Sequence, residues 1–256
     1  MIYIPTLSRP HHQPTLKAIT DANFPVVLVV QPQEEHLYKK YESTLVSLVV
    51  LPEGLTGIGN TRQWIMDGSD SDEHILMFDD DLAFACRGKR VDNQLYLSDS
   101  SPDDVRRMLQ WMEWKLSTDA AICGISAREG NNRKEEPTEQ CARMMRAWGI
   151  RKDKFVEVGA RFDRIDMMED FDVILQFIKA GYPNIINNEV TTNQAGSNTA
   201  GGMSTYRTLE RQAAAAHALH ALHPDVVTVV QKETKTSWGG GVRTDVRVQW
   251  KKALPK

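Results

Sequence analysis

Three adjacent carboxylates, Asp79-Asp80-Asp81, follow directly on the apolar run Ile75-Leu76-Met77-Phe78. Like charges in contact repel and raise one another's pKa unless a cation neutralises them. Hard divalent ions take carboxylate oxygens and keep positions open for phosphate oxygens. In open α/β sheets, ligands bind at the carboxyl ends of the strands. The same triplet inside an ordinary loop would read as an acidic surface turn. Placed at the end of a buried strand, it points instead to a metal-assisted site for a phosphorylated ligand.

Other segments carry weaker signals. Gly57-Ile58-Gly59-Asn60-Thr61-Arg62 opens a helix before that strand. Its glycines let backbone N–H groups approach an anion, and a helix N-terminus favours negative charge. Arg62 is placed to pair with a phosphate or with the acidic triplet; the plain alternative is a loop-to-helix turn. Met168-Glu169-Asp170 precedes another helix. A carboxylate there is a candidate general base, although acids at helix starts also serve simply as complements to the dipole. The Gly/Ser/Asn-rich stretch 193–207, with Gly202, Ser204 and Arg207, suits either close approach to a polar ligand or a flexible loop. Trp238, before three glycines, is a stacking candidate or part of a tight turn. His217, His220 and His223 lie three residues apart on one helix. The first and last are offset by roughly 120°, so the three cannot converge on one ion, and complementing the helix C-terminus is the simpler role.

The elements that must position these groups follow from hydrophobic spacing. β-branched runs at 26–30 and 45–51, with shorter apolar runs at 2–4 and 75–78, alternate with helical segments at 14–22, 34–41 and 57–66. That is β-α-β-α-β-α-β, the signature of a parallel sheet covered by helices. Ser101-Pro102-Asp103-Asp104 is a strong helix start, and Val105, Met108, Leu109, Met112 and Leu116 share one face of the helix that follows. Further on, strands are expected at 120–125 and 226–230, helices at 171–179 and 208–222, a polar loop at 131–139, and an alternating half-exposed strand at 242–250.

Composition bounds the function classes. The 256 residues are 41% hydrophobic and 25% charged, as in a globular protein with its own core. The net charge of −3 excludes a histone-like DNA binder. Charge is uneven, however: from Lys232 to Lys256 there are seven Lys/Arg and two acids, a strip that could meet a polyanion or merely face solvent. Three scattered cysteines fit a reducing compartment. No signal peptide is visible and no run reaches roughly 18 apolar residues, so the expectation is a cytoplasmic protein with no membrane span.

Taken together, the strand ending Pro5-Thr6-Leu7-Ser8-Arg9, the 57–62 helix start, the strand into Asp79-Asp80-Asp81 and Glu169-Asp170 before a helix resemble a GT-A glycosyltransferase. More narrowly, GIGNTRQWIM, LMFDDDL, MEDFDVILQFIKAGYPN and GSNTAGGMSTYR resemble the TET-associated glycosyltransferase group. Its members occur in bacteriophages and are linked to sugar transfer onto hydroxymethylated pyrimidines in DNA. The GT-A likeness covers about residues 1–190. The resemblance implies that Asp79 and Asp81 match the outer positions of a DxD metal motif, with Asp80 between them. It implies that Thr6, Ser8 and Arg9 meet the nucleoside, that Gln31 and the residues after it meet the base, and that Gly57, Asn60 and Arg62 border the nucleotide-sugar. Asp170, with Glu169 beside it, matches the base of inverting relatives. No C-terminal His ligand motif is visible, which leaves a third protein ligand open.

The expectation is therefore an α/β GT-A (Rossmann-like) fold, with a mostly parallel central sheet flanked by helices and a smaller C-terminal acceptor-side extension. One domain would span 1–256, with a nucleotide-sugar half to about residue 100, an acceptor half to about 230, and a basic C-terminal strand from 231. The expected activity is metal-dependent transfer of a hexose, with Mn2+ or Mg2+ and a UDP-sugar such as UDP-glucose, onto 5-hydroxymethylcytosine or another 5-hydroxymethylpyrimidine in DNA. Gly202, Ser204, Arg207, Trp238 and Arg243 would face the acceptor, and no obligate protein partner is expected. The rival readings are a glycan or protein acceptor, a two-metal phosphoryl-transfer enzyme using Asp79, Asp81, Asp166, Glu169 and Asp170, and a non-catalytic binding module.

Overall fold

The computed structural model describes residues 1–91, 94–128, 134–194, 202, 207–234 and 241–255. Its first half builds a parallel layer: β1 (Ile2–Pro5), α1 (Pro14–Asp21), β2 (Val26–Val30), β3 (Val46–Val50), α3 (Ile58–Gly68) and β4 (His74–Phe78). The polar segment expected as one helix at 34–41 is a short helix, α2 (Glu35–Tyr38), between two 3-10 turns. The strands pair in parallel in the order β3-β2-β1-β4.

The second half extends this sheet. β5 (Leu82–Val91), β6 (Gln94–Asp99), α4 (Pro102–Thr118), β7 (Ile122–Ala127), β8 (Thr138–Gln140), β9 (Ala147–Arg151), α5 (Lys152–Val158), α6 (Glu169–Lys179) and β10 (Ile185–Gln194) follow in turn. The full order is β3-β2-β1-β4-β9-β7-β10-β5-β6, with β8 on β10. Seven of the ten strands run in one direction, and only β5, β8 and β9 oppose them. The sheet is thus mostly parallel, as expected, with antiparallel strands on one side of β4. Strands β5, β6, β9 and β10 were not expected from the sequence, and part of the loop expected at 131–139 is β8.

Side chains alternate across the sheet, so both faces carry a core. Val27, Val29, Ile75 and Met77 face α3 and α6. Ile4, Leu28, Val30, Leu76 and Phe78 face α1 and α4. Helix α4 starts where the sequence expects, with Ser101 and Asp104 forming a reciprocal capping box. After β10 the chain forms α7 (Leu209–Leu222) and a two-stranded antiparallel sheet of β11 (Val227–Thr234) and β12 (Gly241–Val248). This hairpin packs on α7, with Val227, Val246, Ala216 and Leu219 joining the core on the α6 side. A boundary at residue 231 would cut β11, so the basic C-terminal region belongs to a hairpin rather than to a separate strand or tail.

Registry delivers the acidic triplet to its place. Parallel pairing of Ile2 with Leu76 and Tyr3 with Met77 puts Thr6 beside Asp80, just past the ends of both strands. Antiparallel pairing of Phe78 with Ala147 puts Asp79 opposite Arg146, and the Asp79 N–H donates to the Arg146 carbonyl (2.8 Å). The buried Thr15 of α1 clamps the triplet's backbone: its hydroxyl donates to the Asp79 carbonyl (2.7 Å) and accepts from the Leu82 N–H (2.8 Å).

Gly124 in β7 marks how closely this strand packs against the segment that leads into its neighbour β9. An added Cβ would lie 2.5 Å from the Ala147 carbonyl oxygen and 2.7 Å from Met144 Cγ. Gly124→Ala is expected to lower stability by about 1–3 kcal/mol through overpacking. Gly68→Ala, with nothing within 4 Å, is expected to be neutral or slightly stabilising. Denaturant unfolding of the two variants checks both.

Candidate active site

The site lies where β1 and β4 end, opposite the N-terminus of α6. Thr6 is buried, donates its hydroxyl to Asp80 Oδ2 (2.6 Å) and accepts from Gln13 Nε2 (2.8 Å). The Arg9 guanidinium pairs with Asp80 through Nη1 and with Asp81 Oδ2 through Nη2 (3.0 Å). The Arg9 N–H donates to the hydroxyl of the fully buried Tyr38 (3.0 Å). Asp80 therefore points inward and ties the ends of the two central strands together. Burial raises its pKa, while Thr6 and Arg9 pull it back.

Asp79 faces the other way. Its Oδ1 accepts from Arg62 Nη2 at 2.8 Å, and Arg62 Nη1 reaches Glu169 Oε1 at 2.5 Å. Arg62 is only 5% exposed and lies over the Trp148 ring, 4.6 Å from its centroid. The sequence left Arg62 open between a phosphate and the acidic cluster; in the structure it spans the cluster. Burial pushes Asp79 up to about 6 and Glu169 up to about 7, with the Arg62 guanidinium opposing both shifts. Glycine explains how Arg62 comes so close. Gly59, one turn earlier on α3, abuts the segment leading to Glu169, and a Cβ there would meet the Phe162 carbonyl oxygen at 2.7 Å.

Glu169 and Asp170 open α6 after Met168, which adopts a left-handed backbone (φ 64°) and provides no side-chain cap. The acids thus do more than cap: Glu169 is spent on Arg62. Asp170 is half-buried, and among the described residues no hydrogen bond or ion pair engages its carboxylate. Asp81 accepts from Gln194 Nε2 (2.6 Å) at the end of β10, a contact the sequence did not reveal.

The cluster is suited to a cation. Five carboxylates (Asp79, Asp80, Asp81, Glu169, Asp170) face three guanidiniums (Arg9, Arg62, Arg146), and the raised pKa values of Asp79, Asp80 and Glu169 mark a buried cluster that a further cation would relieve. Asp81 Oδ2 is buried and meets Arg9 Nη2 at 3.0 Å as an ion pair rather than a hydrogen bond. The donor set is all oxygen, which matches a hard divalent ion. Among the described residues no three His, Cys, Asp or Glu side chains form a ready-made cage. The pattern suits an ion held by one or two carboxylates, with phosphate and water completing its shell.

The remaining expected residues are distributed more widely. Ser8 has a left-handed backbone (φ 57°), and its N–H and hydroxyl donate to Glu34 just past the end of β1. Gln31 is buried and braces the Leu55 carbonyl (3.1 Å). Gly57 caps α3 with φ 87°, and Asn60 donates back to the Thr56 carbonyl (2.8 Å). Gly202, expected on the acceptor side, donates to the Leu7 carbonyl (2.9 Å) and sits against Arg9. That places it over the end of β1. Arg207 is half-buried just before α7. Arg243 lies on β12 and pairs with Asp245 (3.0 Å), which also takes Lys232 (2.9 Å). These two members of the basic strip are thereby partly neutralised. Ser204 and Trp238 lie outside the described residues. His220 Nδ1 donates to the Val227 carbonyl (2.7 Å) and His223 meets Asp172 (2.7 Å), so these two histidines go to separate partners. Among the described residues no helix is long and apolar enough to cross a membrane.

Comparison with known proteins adds the family. A curated relative, the beta-glucosyl-HMC-alpha-glucosyl-transferase of Enterobacteria phage T6, is 23% identical over 215 residues, covering 77% of this chain and 72% of the relative. Among solved structures, S. aureus TarS (residues 1–349) matches with a TM-score of 0.48 and 13% identity over 86% of this chain and 64% of that one. GalNAc-T7 with UDP, GalNAc and Mn2+ matches with a TM-score of 0.48 and 12% identity over 75% of this chain and 43% of that one. The chain thus spans less than two thirds of either structure. The family model of the TET-Associated Glycosyltransferases matches residues 1–202, which hold every acid of the cluster, and the chain belongs to this family of glycosyltransferases.

Proposed function

We propose that the protein transfers a hexose from a nucleotide-sugar to the hydroxyl of a 5-hydroxymethylpyrimidine in DNA, with a divalent metal ion. The observation that carries this reading is the acidic cluster itself. It sets five carboxylates against three guanidiniums at the ends of β1 and β4, with Asp170 half-buried beside it and unpaired among the described residues. Family membership supports sugar transfer, and the name of the phage T6 relative supports glucose as the sugar and an HMC acceptor.

Asp79 and Asp81 would hold the cation, whose role when bound is to neutralise the diphosphate leaving group. Thr6, Ser8 and Arg9 line the end of β1 where the nucleoside would lie. Asp80 keeps that end joined to β4. Arg62 is committed to Asp79 and Glu169, so its contribution is to hold α6 at a set distance from the acidic triplet. Asp170, free of guanidinium, would take the proton of the attacking hydroxyl. An acceptor base in duplex DNA would have to leave the stack to reach it.

The test is a transfer assay with Mn2+, a panel of UDP-sugars, and DNA carrying 5-hydroxymethylcytosine, 5-hydroxymethyluracil or β-glucosyl-5-hydroxymethylcytosine, read by nucleoside mass spectrometry. A hexose-sized gain on one of the first two bases is the expected result. A gain only on the glucosylated base would move the accepting hydroxyl to a sugar, as the relative's name suggests for that enzyme. UDP-sugar binding with no gain on any DNA would remove DNA as acceptor. Strand cleavage without nucleotide-sugar would favour phosphoryl transfer.

Chelation is expected to stop transfer and Mn2+ to restore it, and Asp81→Ala is expected to abolish transfer while leaving the unfolding transition cooperative. Asp170→Asn should lower kcat by roughly 10²–10⁴, the range of a lost general base, with little change in UDP-sugar affinity. Arg62→Met leaves two carboxylates without their counter-charge and should cost about 3–5 kcal/mol of stability, measured by denaturant unfolding. Gly59→Ala is expected to lower both Tm and kcat, because α3 must retreat from the segment leading to Glu169. An unchanged kcat in Gly59→Ala would show that the Arg62–Glu169 spacing is irrelevant to transfer.

A further inference from the structure

Of the basic residues beside the acidic cluster, Lys251 and Lys252 belong to the strip that the sequence singled out, whereas Arg143 and Arg146 do not. Lys232 and Arg243 of the hairpin share Asp245, so their charge is partly spent within the fold. A second group of cations comes from two segments that contain no acid, 141–146 and 250–255. The first runs into β9 between two residues with left-handed backbones, Cys141 (φ 50°) and Arg146 (φ 71°). It is held by the fully buried Asn184, whose side chain accepts from the Ala142 N–H (3.3 Å) and donates to the Ala142 carbonyl (2.8 Å).

This segment lies against the start of α6. The exposed Arg143 stacks on Phe171, with Cζ 4.5 Å from the ring centroid, and Phe171 is the residue after Asp170. Phe171 also stacks with Trp250, with centroids 5.6 Å apart and planes at 28°. Trp250 opens the 3-10 turn that carries the exposed Lys251 and Lys252. Burial pushes the Cys141 thiol up and the Lys251 ammonium pulls it back, so Lys251 sits near the 141–146 segment. Arg146 completes the group through its backbone bond to Asp79 and its charge on that carboxylate. Among the described residues no carboxylate pairs with Arg143, Lys251 or Lys252.

We propose that the phosphate backbone of the nucleic-acid acceptor docks on the surface formed by Arg143, Arg146, Lys251 and Lys252, beside Asp170, rather than along β12. The inference rests on the DNA-acceptor reading. Its logic is charge placement. The acidic cluster repels a polyanion, so a DNA strand needs cations beside the base-accepting carboxylate to bring it within reach. Here they flank that carboxylate from two sides, and the Arg143–Phe171–Trp250 stack fixes one of them in orientation. Phosphate contacts position a nucleic acid without reading its sequence. The surface should therefore govern KM for DNA and leave the sugar-donor site alone.

The experiment measures binding of duplex DNA containing 5-hydroxymethylcytosine by fluorescence anisotropy across a KCl series. It compares wild type, Lys251→Glu/Lys252→Glu, Arg143→Ala/Lys251→Ala/Lys252→Ala, and Arg107→Ala on the opposite face of the sheet. Both multiple variants are expected to lose about tenfold or more in affinity, with the salt slope of the triple variant shallower by about 2–3, near 0.9 per lost phosphate contact. In transfer, KM for DNA should rise while kcat and calorimetric UDP-sugar binding hold. Arg107→Ala should match wild type. The double variant changes only exposed side chains, so it keeps the test valid if the triple variant folds poorly. Wild-type affinity and slope in the double variant, with transfer to DNA intact, would overturn the docking surface and leave the function standing. A wild-type protein that neither binds nor modifies DNA would overturn both.

Discussion

Three carboxylates in a row at the end of a buried strand cannot persist without cations, and the rest of the site is arranged around that constraint. Two arginines from distant parts of the chain answer it in opposite directions. Arg9, just past β1, takes Asp80 and Asp81, while Arg62, on α3, takes Asp79. Because Arg62 also takes Glu169, neutralising the triplet positions the helix that carries Asp170. Electrostatics and geometry are the same interaction here. The charge that remains after both arginines are counted is what a divalent ion and a nucleotide diphosphate would share.

The division of labour among the acids follows from burial. Asp80 and Glu169 are almost fully buried and fully engaged, so they hold the architecture. Asp79 and Asp81 are each held by one guanidinium, and Asp81 also accepts from Gln194. Asp170 alone has no partner among the described residues, which is the condition a proton acceptor requires. One guanidinium laid on the face of Trp148 joins α3 to β9, in the second half of the sheet.

The C-terminal hairpin extends this logic outward. It packs on α7 and, through Trp250, stacks against the first turn of α6. The chain end is therefore a buttress for the helix bearing Asp170, and it brings lysines beside a site that is itself acidic. Positive charge at the rim and negative charge at the centre is the distribution expected of an enzyme that holds a polyanion while working on a diphosphate.

Much of this was legible in the sequence. The β-branched runs, the Ser101 capping box and the position of Asp79-Asp80-Asp81 after an apolar run all act over a few residues, and periodicity reads them directly. Strand β10 escaped because its interior is polar: Asn187, Asn188, Thr191 and Thr192 are buried, so no apolar alternation marks it. The same holds for the contacts that assign roles. Arg62 with Glu169, Gln194 with Asp81, and Arg9 with Asp80 join residues 107, 113 and 71 positions apart. Sequence alone therefore determined which carboxylates assemble and at which strand end, because local hydrophobic pattern and adjacent charge decide that. Only the tertiary structure decided which acids are spent on arginines and which one has no partner among the described residues, because pairing depends on how the sheet's register and the Gly59 contact bring separate segments within a bond's length.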